Sequence, residues 1–542
     1  MADTFGIGIS ALQAYQRALA TTGQNVANAN TPGYSRQRVV LATRPAEFTG
    51  AGYVGSGVQI TSIERIFDEL KATQLHSAAT GLARLEAFAA IAQSIGDRVA
   101  SDSAGLGAGL DRVTSAAEDL ATDPTSLPAR YVFLNELQGL VNRFHQLSAH
   151  LDSMDQAVEA GVRGSTTTIN TLARSIADLN AQITVASSAG NPPNDLLDER
   201  ARLLNQLSEQ VGITTTQETN GAVDVFVGNG QALVIGFDAR ELTLARSPLD
   251  PQQSDVQLGG ASVTAQLSGG TLGGLLDARG ELIEPARNEI GRLAAALSLR
   301  LNEINTQGVD LDGAPGGALL SVPATTARPA ADNTGTATAA VTYADSAQFR
   351  ADEYLLSFDG SNYALRSVAT GAPVSLAGSG TAADPFVFDG LEVVVSGGAA
   401  AGDRFLIQPF RAAAGDVAVV ETDPRRVAAA AALGAVGDNR NALLLAGVAS
   451  ERILEGGAAS ATSANATLIA RTGSAAQQAD LAMQAQAAIK TDAEAAMAAV
   501  SGVNLDEEAA NLLRYQQAYQ AMAQVIGVAD SLFQTLISAL RR

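Results

Sequence analysis

Cysteine is absent from all 542 residues. Disulfide frameworks and thiolate-held metal sites are thereby excluded, and stability has to come from packing. Aromatic residues are scarce at 4%, yet hydrophobic residues reach 46%, so the chain can bury sizeable cores and divides into several domains. Positive charge is short as well: 35 Lys and Arg stand against 56 Asp and Glu, for a net charge of -21. No basic stripe exists to neutralise nucleic-acid phosphates, and an acidic membrane surface would repel the chain. The start "MADTFGIGISALQAYQ" has neither the basic beginning nor the continuous apolar run of a secretory signal. No segment is read as reaching the roughly eighteen apolar residues of a membrane span. The expectation is a chain that stays in the cytoplasm or leaves by a route that reads no cleaved signal.

Recognisable chemistry is equally sparse. The three histidines are His76, His145 and His150. The last two stand about 140° apart around a helix, so they cannot grip one metal from a single face and read as surface residues. "GVDLDGAPGG" opens like a calcium loop with Asp310 and Asp312, but Pro315 takes the glycine position and Ser321 the bidentate glutamate position. "GLGAGL" follows no strand, and no G-x-S-x-G, H-E-x-x-H or Walker pattern is present. The reading is no catalysis, no cofactor and no metal.

What the chain does carry is heptads. Phe5, Leu12, Leu19 and Val26 recur at every seventh residue, the mark of a helix with one sticky seam. Between Asp3 and Arg36 the one charged side chain is Arg17, whereas a solvated helix face is usually rich in Lys and Glu. At the other end Leu505, Leu512, Tyr519, Ile526, Phe533 and Leu540 keep the same spacing, with Tyr515, Met522, Ala529 and Leu536 on a companion seam. Asn504 and Glu507 read as an N-cap and its capping-box partner, and Asp506 to Glu508 suit the positive end of the dipole. This helix is expected to run for roughly 36 residues, about 54 Å, and between Arg514 and Asp530 it has no charge. Arg541 and Arg542 answer its C-terminal dipole.

Between the ends, Leu137/Leu140, Phe144/Leu147, Leu151/Met154 and Val158 form a long stripe that changes phase after Gly161 and Gly164 to Ile169, Leu172, Ile176, Leu179 and Ile183. These are expected to be intramolecular core, as is the helix at 274–306 with Ile283, Ile290, Leu297 and Ile304. Alternating, glycine-punctuated sequence gives two β units, one turning at Asn229-Gly230 and one at Asp359-Gly360. From Asp423 onward the chain reads as helical. The fold class is therefore mainly α with inserted β domains: paired, coiled-coil-like terminal helices, a long helical-bundle stalk and small β-rich lateral domains. The expected division is 1–60 with 500–542 as a terminal assembly domain, 61–210 with 273–308 and 421–499 as a helical bundle, and β units at 211–272 and 309–420. Lone helices are marginal in water, so the terminal seams are expected to pair. Their uncharged flanks would then pack on copies of the same domain, as in a tube wall.

"NVANANTPGYSRQRV" stops the first helix. Asn30 reads as a left-handed cap, Thr31 before proline as extended, and Pro32-Gly33 as the centre of a type II turn. Asn28, Asn30, Thr31, Pro32, Gly33, Tyr34, Ser35 and Arg36 also resemble the sequence that follows the N-terminal helix in the axial proteins of the bacterial flagellum, the rod, hook and hook-associated family. "SGVNLDEEAANLLRYQQAYQAMAQVIGVADSLFQTL" is similar to the family's C-terminal helix. The Pro-Gly-Tyr-Ser-Arg-Gln variant is most like the hook-associated branch. The resemblance covers roughly the first and last 45 residues, with fainter echoes between and none in the β units. It implies a structural subunit, exported unfolded through the flagellar type III channel, that forms a ring of identical subunits at the hook–filament junction on hook protein. Hook-associated protein 3 would add on top, and an export chaperone would hold the Leu505–Leu540 segment in the cytoplasm. The alternatives are a hook or distal rod subunit of the same family or, in a different class, a secreted adhesin or carbohydrate-binding protein; neither β unit shows the clustered aromatics or paired carboxylates that would favour the latter.

Overall fold

The computed structural model describes residues 2–48, 52–101, 105–188, 192–434 and 437–540; the side chains of Ala2, Asp3 and Leu540 lie outside the described set, as do Arg541 and Arg542. The chain goes outward and returns. It starts with helix α1 (Ala2–Ala27) and a hairpin of β1 (Gln37–Thr43) and β4 (Val58–Arg65), extended by the short β2 (Glu47–Phe48) and β3 (Tyr53–Val54). It then climbs through α2 (Glu69–Val99), α3 (Leu106–Thr122), α4 (Leu127–Ser188) and α5 (Asn194–Gln210). The return uses α6 (Gly270–Ala278), α7 (Glu284–Gln307), the one-turn α8 (Ala413–Asp416), α9 (Arg440–Gly447), α10 (Ala461–Ser501) and α11 (Leu505–Leu540). α11 packs on α1 and α10 on α2, so the outermost elements pair first and the rest nests between them.

The heptad stripes of the middle helices are core. Leu137, Leu140, Phe144, Leu147, Leu151, Met154 and Val158 are buried along α4, and the phase-shifted Ile169, Ile176, Leu179 and Ile183 continue the burial while Leu172 is partly covered. Gly161 lies where a Cβ would come within 2.7 Å of Leu275, which accounts for the small residue at the change of phase. Ile283, Ile290, Leu297 and Ile304 are all buried. One correction concerns continuity: α6 runs into α7 through a π-helical turn, Arg279–Ile283, where the sequence reads as one plain helix. Its cause is electrostatic, since the wide turn brings Arg279 to Asp155 and Glu159 of α4.

Each β unit is a pair of antiparallel sheets. The first has a four-stranded meander, Ile213–Gln217, Val223–Val227, Gln231–Ile235 and Asp238–Ala239, beside a three-stranded sheet of Leu242–Arg246, Ser254–Leu258 and Ala261–Ser262. The second has five- and three-stranded sheets between Thr326 and Gln408. Its central hairpin pairs Tyr354 with Ser367 and Phe358 with Tyr363 around the Asp359-Gly360 turn, with Gly360 at φ 104°. Two expectations give way. The hairpin of β1 and β4 is strand structure where the terminal region reads as helix plus turn. Residues 417–434, 437–439 and 448–460 are mainly irregular rather than helical, because their backbone is used to tie helices to one another: Val427 accepts from Arg130, and the Asn439 amide donates to Ala121.

A single hydrophobic core runs from Ala92 to Leu468. Among the described residues, α1 and α11 contribute nothing to it. Within 461–539 lies a stretch of mean hydropathy 1.2, only 6% of it buried, that is long and apolar enough to cross a membrane by length and composition. This corrects the reading that no segment approaches that limit: an exposed helix with few charges passes the same test as a membrane span.

Gly291 marks how tightly α7 meets the second β domain, because a Cβ there would stand 1.9 Å from the Phe410 carbonyl oxygen. Gly291→Ala is expected to lower unfolding stability by about 1–3 kcal/mol, read from denaturant unfolding of the full chain. An unchanged midpoint would mean the helix shifts freely away from that strand.

Candidate assembly interface

On the α1 side the buried stripe is made of small and polar residues, whereas on the α11 side large residues of the predicted seam meet it. Gly8, Ser10, Ala11, Ala14, Ala18, Thr21, Thr22 and Asn25 are buried along α1. Gly8 lets the helices close up, since a Cβ would fall 2.6 Å from Ile526. Phe5, Leu12 and Leu19 flank that stripe half-buried, and Val26 is 38% exposed. On α11, Leu512, Tyr515, Met522 and Ile526 are half-buried against α1, with Tyr15 and Tyr515 rings 6.4 Å apart. Leu505, Tyr519, Phe533 and Leu536 are exposed; the side chain of Leu540 lies outside the described residues. Beyond Ala529 every described side chain of α11 is exposed, and Leu513, Val525, Val528, Leu532 and Ile537 add further apolar surface.

The turn after α1 is where the two ends of the chain are fixed in register. Tyr34 N–H donates to Thr31 O at 3.2 Å and Gly33 has φ 82°, as the third position of a type II turn requires. Asn30 is not left-handed, contrary to expectation: the helix exits through successive turns, with Thr31 N–H donating to Asn28 O, and glycine alone takes the positive φ. Asn28 donates its amide back to Gln24 O and accepts from Thr31. Asn30, Thr31, Pro32 and Gly33 are exposed, whereas Tyr34, Ser35 and Arg36 turn inward.

At the centre lies Asn25, 1% exposed. Its amide donates to Gln37 O at 2.9 Å and to Glu508 Oε2 at 3.1 Å. Its oxygen accepts from Tyr34 Oη–H at 2.8 Å and from Gln37 N–H at 3.0 Å. One side chain thus joins α1, the turn, β1 and α11 with every hydrogen-bonding position filled. Arg36 completes the latch. Its Nε donates to Glu508 Oε1 at 2.9 Å, its other two nitrogens grip Glu507, and its backbone N–H donates to Ser501 O at 2.8 Å. Asn504 caps α11 as read, accepting from Asp506 and Glu507 N–H, but the Glu507 carboxylate turns to Arg36 instead of closing a capping box. A guanidinium offers a charge-assisted bidentate contact that a backbone N–H cannot match.

Electrostatics follow the geometry. Hydrogen bonding from Arg36 holds the Glu507 carboxyl below its ordinary range, and the Glu507 contact raises Arg36 in turn. Burial, with Asp198 and Glu508 nearby, pushes the Tyr34 hydroxyl up to about 12. The body reaches the latch through α5. Asp198 accepts from Ser35 N–H at 3.0 Å and pairs with Arg65 Nε at 2.6 Å, while Asn194 donates to Ile63 O of β4. The hairpin in turn sits on α1, where Gly57 at φ 107° leaves room for Ser10 and Val58 N–H donates to the Ser10 hydroxyl.

Sequence reasoning does not single out Asn25 or Asp198, nor the specific roles of Gln37 and Glu508. Asn25 had one available signal: it falls on the same face as Ala11, Ala14 and Ala18, where a polar residue needs a partner. The histidines differ from expectation too. His145 Nε2 lies 2.7 Å from Val417 O and His150 lies near Ser94, so both are half-buried ties between elements. Asp310 accepts from Asp312 and Ala314 N–H in a tight turn, and Asp312 pairs with Arg425.

A nested chain whose paired termini carry bare apolar faces on a helical body with lateral β domains is the plan of a flagellar axial protein, and comparisons with known proteins agree along the whole length. Residues 92–320 match the flagellar hook-associated protein FlgK helical domain and 329–409 the flagellar hook-associated protein 1 D2-like domain; 5–34 match the flagella basal body rod protein family and 495–539 the flagellar basal body rod FlgEFG protein C-terminal family. Flagellar hook-associated protein 1 of Salmonella typhimurium is 31% identical across 99% of this chain and 100% of its own, and that of Escherichia coli 29% across the same shares. The Bacillus subtilis protein is 28% identical over 98% of this chain and 96% of its own. The chain belongs to the flagellar hook-associated protein 1 family. Its fold is that of the flagellar hook junction protein FlgK from Burkholderia pseudomallei, with a TM-score of 0.74 at 24% identity over 79% of this chain and 100% of the other.

Asn25→Ala removes both amide donors and leaves the buried Glu508 with Arg36 alone. The expected cost is about 1–3 kcal/mol, read as faster hydrogen exchange at residues 34–37 and 501–508 with the core between Ala92 and Leu468 unchanged. Protease acting on the monomer should clip α11 and α1 first and spare a core of roughly residues 60–490; termini as resistant as the core would contradict the exposed faces described above.

Proposed function

We propose that this chain is the structural subunit of the hook–filament junction, forming a ring of identical subunits at the distal end of the hook, on which filament assembly and motility depend. The observation that carries this reading is full-length similarity to flagellar hook-associated protein 1 in a chain whose last helix leaves Leu505, Tyr519, Phe533 and Leu536 exposed. The division of labour follows. Residues 1–60 and 500–542 form the assembly domain, and Phe5, Leu12, Leu19 and Val26 with Leu505, Leu512, Tyr515, Tyr519, Met522, Ile526, Phe533, Leu536 and Leu540 are its contact residues. Each large side chain covered by a neighbouring subunit contributes roughly 1.5–3 kcal/mol, so a tube of such helices is stable although one pair alone is not.

Asn28 to Arg36 act as the fixed corner between wall and body, holding the angle at which the body leaves the wall. Hook protein below and hook-associated protein 3 above are the axial partners, and a cytoplasmic export chaperone is the partner of the apolar face of α11 before assembly. Export through the flagellar channel without a cleaved signal places the subunit outside the cell. The reading includes no enzymatic role.

Deletion of the gene tests this reading. Cells should build hooks, release flagellin into the medium and fail to swim, and the intact gene should restore filaments. Normal filaments on the deletion strain would refute the junction assignment, and loss of the hooks themselves would favour a rod or hook subunit.

A further inference from the structure

The second β domain meets the helical body through apolar packing, with Phe349 and Phe410 in the shared core, and beside that packing through a buried charge network. Arg279 pairs with Asp155 at 3.1 Å and Glu159 at 2.8 Å, and Arg287 with Asp152 at 2.9 Å and Glu284 at 3.0 Å. Arg411 Nη1 then stands 3.2 Å from Glu284, 3.2 Å from Asp250 and 3.9 Å from Glu353, and Arg328 closes the line at 3.3 Å from Asp250. Asp152, Asp155 and Glu159 belong to α4, Glu284 and Arg287 to α7 and Asp250 to the first β unit; Arg328, Glu353 and Arg411 belong to the second β domain and its exit. Four guanidinium groups thus face six carboxylates. If all six were ionised, the network would hold two surplus negative charges, one of them on the exposed Asp152 side chain and the other at a site where Arg279, Arg287, Asp250 and Glu353 are all buried. Desolvated like charges cannot all stay ionised without cost.

We propose that this junction is a proton-operated joint, closed while Glu353 carries a proton and loosened when Glu353 ionises, so that the tilt of the lateral β domain follows pH. Glu353 is the member placed to do this. It precedes the strand Tyr354–Phe358, it faces Glu284 and the Asn288 amide of α7 across the junction, and the guanidinium beside it, Arg411, is shared with Glu284 and Asp250. On its own side the buried Gln408 donates to both of its oxygens at 3.1 and 3.2 Å, and its backbone N–H donates to Asp352, one more negative neighbour. Burial first, then the charge of Glu284, push its carboxyl up to about 7, against the pull of Arg411. The raised value fixes the sign: docking is fully favoured below the ordinary carboxylate range and weakens as pH rises through about 7. Space for the motion exists, because Asp250, Glu284, Glu353 and Gln408 line a cleft of about 1420 Å³ between the two β units and α7.

The absence of cysteine makes the test clean. In the full chain, Asn135→Cys on α4 and Ser375→Cys on the second β domain, both at exposed positions, give two unique sites for spin labels. The interlabel distance distribution should change between about pH 6 and about pH 8.5. Glu353→Gln should keep the acid-side distribution throughout. An unchanged distribution with Glu353 intact, or the same shift with Glu353→Gln, overturns the joint. Glu284→Gln gives a second reading that does not depend on Glu353→Gln folding: removing the neighbouring charge should lower the transition midpoint by about one pH unit, and an unmoved midpoint counts against the proposal.

Discussion

One buried carboxamide sets the relation of the two ends of the chain. Asn25 spends all of its hydrogen-bonding capacity on Gln37, Tyr34 and Glu508, so α1, the turn, the hairpin and α11 can be satisfied together in one register only. Apolar contact could not impose this, because hydrophobic burial is non-directional and the facing residues of α1 are mostly Gly, Ala, Ser and Thr. A slide of α11 by one turn would leave the Glu508 carboxylate buried without Arg36, and breaking a buried pair in this way costs about 3–5 kcal/mol. The latch supplies the register and the small residues supply closeness. The large apolar residues remain for other contacts.

That division separates two kinds of stability within one chain. The body has a continuous core from Ala92 to Leu468 within the single chain. The terminal pair lies outside that core and is held by close packing, one polar latch and an anchor through Asp198 to α5. In the proposed reading, a subunit stable in its middle and incomplete at its ends is suited to a growing axis, with each incoming copy covering what the previous one left bare. The junction between body and second β domain follows a third rule. There a buried charge network lies beside the shared apolar core, so under the proposal above ionisation adjusts the orientation that packing allows.

Much of the fold was legible in the sequence because its helices are long and strictly periodic. The stripe from Leu137 to Ile183, the heptad from Ile283 to Ile304, both β units and the length of α11 follow from spacing alone, and the cap at Asn504 from residue chemistry. The β1–β4 hairpin was missed because its strands are short and its partner interactions lie with Ser10 and Asn194, far away in sequence. The π turn at Arg279 was missed for a related reason, since its cause sits on α4. At the interface the large residues drew the eye to Phe5, Leu12, Leu19 and Val26, while the surface that closes is the small-residue stripe beside them.

By itself the sequence determined which segments are helices, which are β units, that the two uncharged ends belong together and which family the turn after α1 resembles. Periodicity, turn residues and the avoidance of charge are properties of neighbouring positions and are written in the chain. Only the tertiary structure decided that Asn25 and not Asn30 is the pivotal asparagine, that Glu507 serves Arg36 rather than its own helix cap, and that Glu353, Glu284 and Asp250 share one guanidinium. Such pairings join residues hundreds of positions apart. They exist because buried polar groups must find partners, and which partners they find depends on how the whole chain has folded.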